Sequence, residues 1–198
     1  RLARASGRFK DLATVFESLA AKQEDPQLAY TLYAMSARVY ENDLADIDSA
    51  IAHYRTVLSL DPMNLDAADS LERLFRHSER YADLSVILQR KANILDDPEE
   101  QKNALYQAAS IEQEVLEKRE AAISVYAKVL EIDPEDIRSI DALIELYVGL
   151  ARWEELLAMY HKKVDLVSDP DEKKAIYYLV GAVYERELRD VPRAIDTY

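Results

Sequence analysis

The amino-acid sequence predicts an all-α protein built from antiparallel helix pairs that repeat along the chain. Three observations carry this. Asp-Pro pairs stand at Asp25-Pro26, Asp61-Pro62, Asp97-Pro98, Asp133-Pro134 and Asp169-Pro170, each 36 residues after the last. Between them the apolar residues follow helical spacing: Ala50, Ile51, Tyr54, Val57 and Leu58 fall at i, i+1, i+4, i+7 and i+8, one face of a helix. Glycine and proline, the punctuation of turns and strands, are scarce: three glycines and six prolines in 198 residues. Alanine, leucine, glutamate and arginine, which favour helices, are abundant.

The Asp-Pro pair has a clear role. Proline lacks an N–H and breaks a helix interior, but it fits the first turn. It pushes the preceding residue out of the α region, and aspartate is a good N-cap acceptor. The pair therefore ends one helix and helps start the next. A 36-residue unit holds two helices of about 13 to 18 residues each and two tight turns.

In chain order, the first helix covers 8–23, with Phe9 and Leu12. The second covers 27–44, after Asp25-Pro26. Helix 47–59 carries the Ala50-to-Leu58 face, and 64–78 carries Leu71, Leu74 and Phe75. Helix 80–95 holds Tyr81, Leu84 and Leu88; 99–116 follows Asp97-Pro98; 119–131 holds Ala122, Ile123 and Tyr126. Helix 135–150 follows Asp133-Pro134, 152–167 begins with Trp153, 171–188 follows Asp169-Pro170, and 191–198 holds Ala194, Ile195 and Tyr198.

A longer period sorts the units into two kinds. Ala50-Ile51-x-x-Tyr54, Ala122-Ile123-x-x-Tyr126 and Ala194-Ile195-x-x-Tyr198 are 72 residues apart. So are Phe9, Tyr81 and Trp153; Leu12, Leu84 and Leu156; and Leu44, Leu116 and Leu188. The frame is a single array over 1–198: four units at 26–61, 62–97, 98–133 and 134–169, flanked by partial units at 1–25 and 170–198. The missing initiator Met and the half-unit at Tyr198 suggest a piece of a longer chain.

Helix pairs with a small residue, an Ala-x3-Tyr step and a closing Asp-Pro resemble tetratricopeptide repeats. Val180-Gly181, Tyr184, Ala194 and Tyr198 show the pattern best; Ala37 and Ala109 are the small residues of the earlier copies. The units depart from the pattern in length, 36 residues rather than the usual 34, and by one extra residue between Tyr and Ala in the first kind. The second kind has Glu72 and Ile144, and Leu84 and Leu156, at the small sites. Arg152-Trp153-Glu154-Glu155-Leu156 is similar to long bacterial scaffolds of this family. The resemblance implies a right-handed α-solenoid of stacked antiparallel helix pairs whose first helices line a concave face.

Composition narrows the chemistry. The net charge of −13 repels phosphate backbones and anionic membranes, so nucleic acid is not an expected partner. With no cysteine, disulfides and thiolate metal sites are excluded. No apolar stretch reaches the roughly 20 residues that span a bilayer, and Arg1-Leu2-Ala3-Arg4 is followed by no apolar signal region. The compartment stays open, with a soluble cytoplasmic chain preferred to a secreted one. Gly7, Gly149 and Gly181 are too scattered for a phosphate loop. His53, His77 and His161 have no partner at ligand spacing, and Ser110, Ser124 and Ser139 have no His–Asp neighbourhood. Acidic runs such as Asp96-Asp97 with Glu99-Glu100 sit at helix starts, where the dipole favours them. No catalytic, cofactor or metal site is expected.

A protein-protein interaction scaffold remains, with a peptide or helix in the groove. By the resemblance, the groove positions are Ala34, Arg38 and Glu41; Asp69, Arg73 and Arg76; Tyr106, Ser110 and Gln113; Asp141 and Glu145; Tyr178, Ala182 and Glu185. Tyr106 and Tyr178 are expected as exposed aromatic anchors and Arg73 and Arg76 as carboxylate binders. The family's carboxylate clamp for chaperone tails is absent, since Ala34, Arg38, Ser70, Asn103 and Gln107 stand at one consecutive set of its sites. The alternatives are a structural module that self-associates end to end, an RNA-processing helical-repeat factor, and an enzyme.

Overall fold

The computed structural model describes residues 7–198, so residues 1–6 of the first partial unit lie outside the described residues. The described residues form eleven α-helices and no strand. They are α1 (Phe9–Ala20), α2 (Pro26–Asn42), α3 (Ile47–Leu60), α4 (Leu65–His77), α5 (Tyr81–Ala92), α6 (Pro98–Ser110), α7 (Arg119–Ile132), α8 (Ile137–Gly149), α9 (Trp153–Leu166), α10 (Pro170–Ala182) and α11 (Val191–Thr197). Single π-turns extend α6 (Ile111–Val115) and α10 (Val183–Glu187). Every expected helix is present, and the fold is the all-α arrangement of antiparallel helix pairs that the periodicity implies. The chain divides into two compact units, one reaching Leu116 and one beginning at Glu117.

The five Asp-Pro pairs do two different jobs. Asp25, Asp97 and Asp169 are N-caps with proline at the first helical position. Their carboxylates accept from the N–H of Gln27 (2.9 Å), Glu99 (3.1 Å) and Asp171 (3.0 Å). Pro62 and Pro134 instead lie in the turn before the next helix. There Asp61 and Asp133 end α3 and α7 in extended backbone and accept from Met63 N (3.3 Å) and Glu135 N (3.1 Å). The caps come later, from Asn64 to Ala67 N (3.0 Å) and Asp136 to Ser139 N (2.7 Å). One dipeptide thus starts the helix in the first kind of unit and closes the previous helix in the second.

The turns inside each pair also repeat. Ala45, Glu117 and Arg189 have φ of 52°, 54° and 55°, and Glu79 and Ala151 have 55° and 54°. Each set keeps the 72-residue spacing, and none is glycine, so each position carries local strain.

The extra residue of the first kind of unit has a structural home. The carbonyls of Val39, Ile111 and Val183 accept from the N–H five residues on, at Leu44 (3.1 Å), Leu116 (2.9 Å) and Leu188 (3.1 Å). That wider ring absorbs one residue at the end of a helix. Val39 also accepts from Asp43 N at 3.0 Å, so its copy is a shared α/π turn.

Core residues follow the periodicity. In the first unit Ala50, Ile51, Tyr54, Val57 and Leu58 of α3, Leu71, Leu74 and Phe75 of α4, and Leu84 and Leu88 of α5 are all buried, and α4 packs against both α3 and α5. In the second unit one apolar cluster joins Ala122 and Ile123 of α7, Leu143, Leu146 and Tyr147 of α8, Leu156, Leu157 and Tyr160 of α9, and Ile176 and Val180 of α10. The small residues Ala37 and Ala109 are fully buried. At the third copy, a Cβ on Gly181 would stand 2.6 Å from the Tyr198 ring, so glycine leaves room for that aromatic. Ser139 is fully buried with its hydroxyl lacking a partner, whereas Ala67 holds the equivalent place 72 residues earlier.

Candidate protein-binding surface

In the first unit, α2, α4 and α6 share one side. Tyr30, Ala34 and Arg38 of α2 form a cleft with Ala67 and Ser70 of α4, of about 190 Å³. Asp69 and Glu72 of α4 form a second cleft with Asn103 and Gln107 of α6, floored by Leu88 and Lys91 of α5, of about 340 Å³. Asp69, Glu72, Arg73, Arg76, His77 and Lys91 line a third opening of about 620 Å³.

The charged side chains here are held by one another. Lys91 Nζ lies 2.6 Å from Asp69 and 2.9 Å from Glu72. Arg76 donates to Glu72 at 3.0 Å and to Gln107 at 2.9 Å, tying α4 to α6. Arg73 donates to Glu41, tying α4 to α2, and Tyr54 donates to the same carboxylate at 3.1 Å. Burial opposes the Glu72 anion, yet the hydrogen bonds and charges of Lys91 and Arg76 outweigh it and hold its carboxyl below the usual range. Burial likewise opposes the Lys91 cation, and Asp69 and Glu72 outweigh it, so its ammonium titrates higher than usual. For Arg73 the hydrogen bond to Glu41 leads and the shift is upward. Burial, with Glu41 adding to it, pushes the Tyr54 phenol up.

Placement of the expected groove residues is mixed. Arg38, Asp69, Arg73 and Arg76 are exposed and share this side of the first unit. Tyr106 is a correction: it is only 8% exposed and belongs to the core, because its position on α6 faces its neighbours in the fold. Gln113 is half-buried and lies in the π-turn after α6. Tyr178, in the second unit, is 52% exposed. Its ring lies 5.8 Å from that of Tyr198 and 6.0 Å from the Lys174 ammonium, in a cleft completed by Pro170, Lys173 and Tyr177.

Glu41, one of the expected groove positions, helps organise the first-unit surface, but Lys91 and Glu72, which organise it with Glu41, were not among those positions. A signal for Lys91 was present: Lys91 and Lys163 are 72 apart, as are Asp69 and Asp141, and Lys163 indeed meets Asp141 at 2.7 Å. Arg80 with Asp48 and Arg152 with Glu120 repeat in the same way.

Two stretches, 30–64 and 103–136, match the family model described as tetratricopeptide repeat. They span α2–α3 and α6–α7, the pairs of the first kind. These stretches are tetratricopeptide repeats. Among curated proteins, Superkiller protein 3 of Schizosaccharomyces pombe is 23% identical over 192 residues, which is 96% of this chain. The chain spans only 13% of the length of that relative. Among solved structures, the chain is similar to MamA (19% identity, TM-score 0.43, covering 85% of this chain and 87% of that one). It is also similar to YrrB, described as a tetratricopeptide protein with an unusual peptide-binding site (16%, TM-score 0.42, 93% of each chain). PilF of Pseudomonas aeruginosa is a third (13%, TM-score 0.44, 96% and 90%). The second kind of pair, α4–α5 and α8–α9, falls outside the matched tetratricopeptide stretches. Its small sites are filled by Glu72 and Ile144.

Among the described residues no helix is long and apolar enough to cross a membrane.

Proposed function

We propose that this chain is a non-catalytic protein-binding scaffold, built on the 36-residue frame, that receives a peptide or helix along the α2/α4/α6 side of its first unit. The supporting observation is the run of open clefts between α2, α4 and α6, lined by polar and charged side chains whose ion pairs cross from helix to helix. Arg38, Asp69, Arg73 and Arg76 are the contact residues of this reading, and Tyr178 offers a separate aromatic contact in the second unit. Paired arginines and carboxylates on a partner can exchange with the pairs already formed, which favours orientation over raw affinity.

The test is site-specific photo-crosslinking in cell extract. A benzophenone side chain at Arg38 or Asp69 should capture the same discrete partner, while one at Val86, on an exposed face of α5, should not. Capture from Val86 alone would overturn the assignment of this side. Sedimentation velocity over a hundredfold range of concentration addresses the alternative, end-to-end self-association, which predicts a rising sedimentation coefficient.

A further inference from the structure

Four exposed residues of α4, Asp66, Asp69, Arg73 and Arg76, stand at i, i+3, i+7 and i+10, one stripe along the open side of the first unit. The stripe is bipolar. Both carboxylates fall in the N-terminal half and both guanidiniums in the C-terminal half. The Asp69, Arg73 and Arg76 side chains are each more than half exposed, whereas the groups that hold them, Lys91, Glu41 and Glu72, are each less than a quarter exposed. The outer charges therefore face a molecule arriving on this side. Glu100 of α6, also exposed, stands with Asp69 at the α4–α6 cleft and adds to the acidic half.

Helix dipoles favour acids early and bases late, but the internal repeat shows that the helix does not need this order. α8, 72 residues on, is also 13 residues long and is capped in the same way, by Asp136 where α4 has Asn64. It carries Arg138, Asp141, Glu145 and Val148 at the four positions.

α2, α4 and α6 run parallel: Arg73 reaches Glu41 late in α2, and Arg76 reaches Gln107 late in α6. α4 has a cleft on either flank, so this side is open with both neighbours in place. In the first unit the helices pack on those next to them in sequence, so the array grows beside this side and not across it. Neighbouring packed helices lie about 10 Å apart, and so do the two clefts. Seven residues of a helix laid across them rise about 10.5 Å. Along α4, Asp66 to Arg73 and Asp69 to Arg76 each span the same seven residues, and a helix with its side chains is about 10–12 Å wide. An extended segment places same-side residues about 7 Å apart, and neither one such step nor two matches the clefts.

We infer, on the binding side proposed above, that the occupant is an amphipathic α-helix of a protein partner lying across α4. Its side chains at i and i+7 enter the two clefts. Lys or Arg lines the flank over Asp66 and Asp69, and Asp or Glu lines the flank over Arg73 and Arg76. Charge then fixes direction as well as face: exchanging the two flanks in the partner's sequence turns its helix end for end.

The experiment is a fluorescence-anisotropy titration of the whole chain with a labelled, stapled helical peptide. It carries leucine at the two cleft positions, lysines along one flank and glutamates along the other. Saturable binding is expected. A peptide of the same composition with lysine and glutamate mixed on both flanks should bind at least about fivefold more weakly. An unstapled version broken by a central proline should lose binding. Asp66→Lys, at an exposed site beyond the Asn64 cap, should weaken binding about fivefold. That loss should vanish against a peptide whose lysines are replaced by glutamine. A spin label on the peptide N-terminus should broaden NMR signals of either α2 or α6, and exchanging the flanks should move the broadening to the other helix. No saturable binding, equal affinity for the mixed-flank or proline peptide, a label that stays in place, or a concentration-dependent dimer that the peptide displaces would each overturn the inference. Crosslinking from Arg38 to a partner segment without oppositely charged flanks would overturn it too, while leaving the binding side itself standing.

Discussion

Replacing Lys91 with methionine keeps the stem of the side chain and removes a cation that holds two carboxylates at once. The Lys91 side chain is 23% exposed, Asp69 51% and Glu72 19%. The half-exposed Asp69 pair is worth about 0.5 kcal/mol. Glu72 is the costly partner, because a largely buried charge that loses a hydrogen bond costs about 1.5–3 kcal/mol. Arg76 remains 3.0 Å from Glu72 and lowers that cost, so about 1–1.5 kcal/mol is left. Lys91→Met should therefore destabilise by about 1.5–2 kcal/mol in all. The second unit supplies the control. Lys163 meets Asp141 at 2.7 Å with similar exposures, 20% and 47%, but Ile144 stands where Glu72 does. Lys163→Met should cost only about 0.5 kcal/mol. Urea unfolding followed by circular dichroism measures both, with Trp153 fluorescence reporting on the second unit. The pH dependence has a definite sign. Glu72 titrates below its unfolded value, so its contribution is complete above about pH 4.3 and is lost as pH falls through the folded value. Lys91 titrates above its unfolded value, so its contribution is complete below about pH 10.4 and is lost as pH rises through the folded value. Equal costs for the two lysines, or a Lys91→Met cost that is undiminished at acid pH, would refute the role given to Glu72.

Three further outcomes follow from repeat-to-repeat comparison. Ala151→Gly should stabilise by about 0.5 kcal/mol, because relief of the strain at φ 54° exceeds the added freedom of the unfolded chain; thermal unfolding measures it, and a lower midpoint would contradict the strain. Ser139→Ala should stabilise by about 1 kcal/mol by removing a buried hydroxyl without a partner, as Ala67 already does; urea unfolding that shows a loss would mean the hydroxyl is satisfied. Gly181→Ala should leave helicity intact and push the Tyr198 ring off α10, since the new Cβ would lie 2.6 Å from it; the nuclear Overhauser contact between Tyr178 and Tyr198 should vanish, and its persistence would show that the aromatic does not rest on that site.

The helices were legible because they are governed by local chemistry. Apolar spacing and proline placement act over a few residues, and each predicted helix formed. What local patterns could not separate was the use of Asp-Pro. Asp97-Pro98 and Asp133-Pro134 look alike, and only the competing caps at Asn64 and Asp136 decide that Pro62 and Pro134 stay in the turn. The surface was less legible. Tyr106 and Tyr178 are 72 apart and were read as the same kind of anchor, but burial depends on which neighbours pack against each copy, and Tyr106 lies in the core. Lys91 sits in register with apolar residues of α5, so the pattern treats it as core. Its stem packs there, and its charge emerges beside Asp69 and Glu72.

The wider turns that close α2, α6 and α10, each 72 residues after the last, have a consequence for how such a chain changes length. Each one takes up one extra residue at the end of its helix, and the pairs between them carry no such residue. Deleting or duplicating 36 residues would set a pair with the extra residue beside another of its own sort, a neighbour for which its apolar stripe is not made. A 72-residue step returns each helix to a familiar neighbour, so growth by doublets is the increment this architecture tolerates.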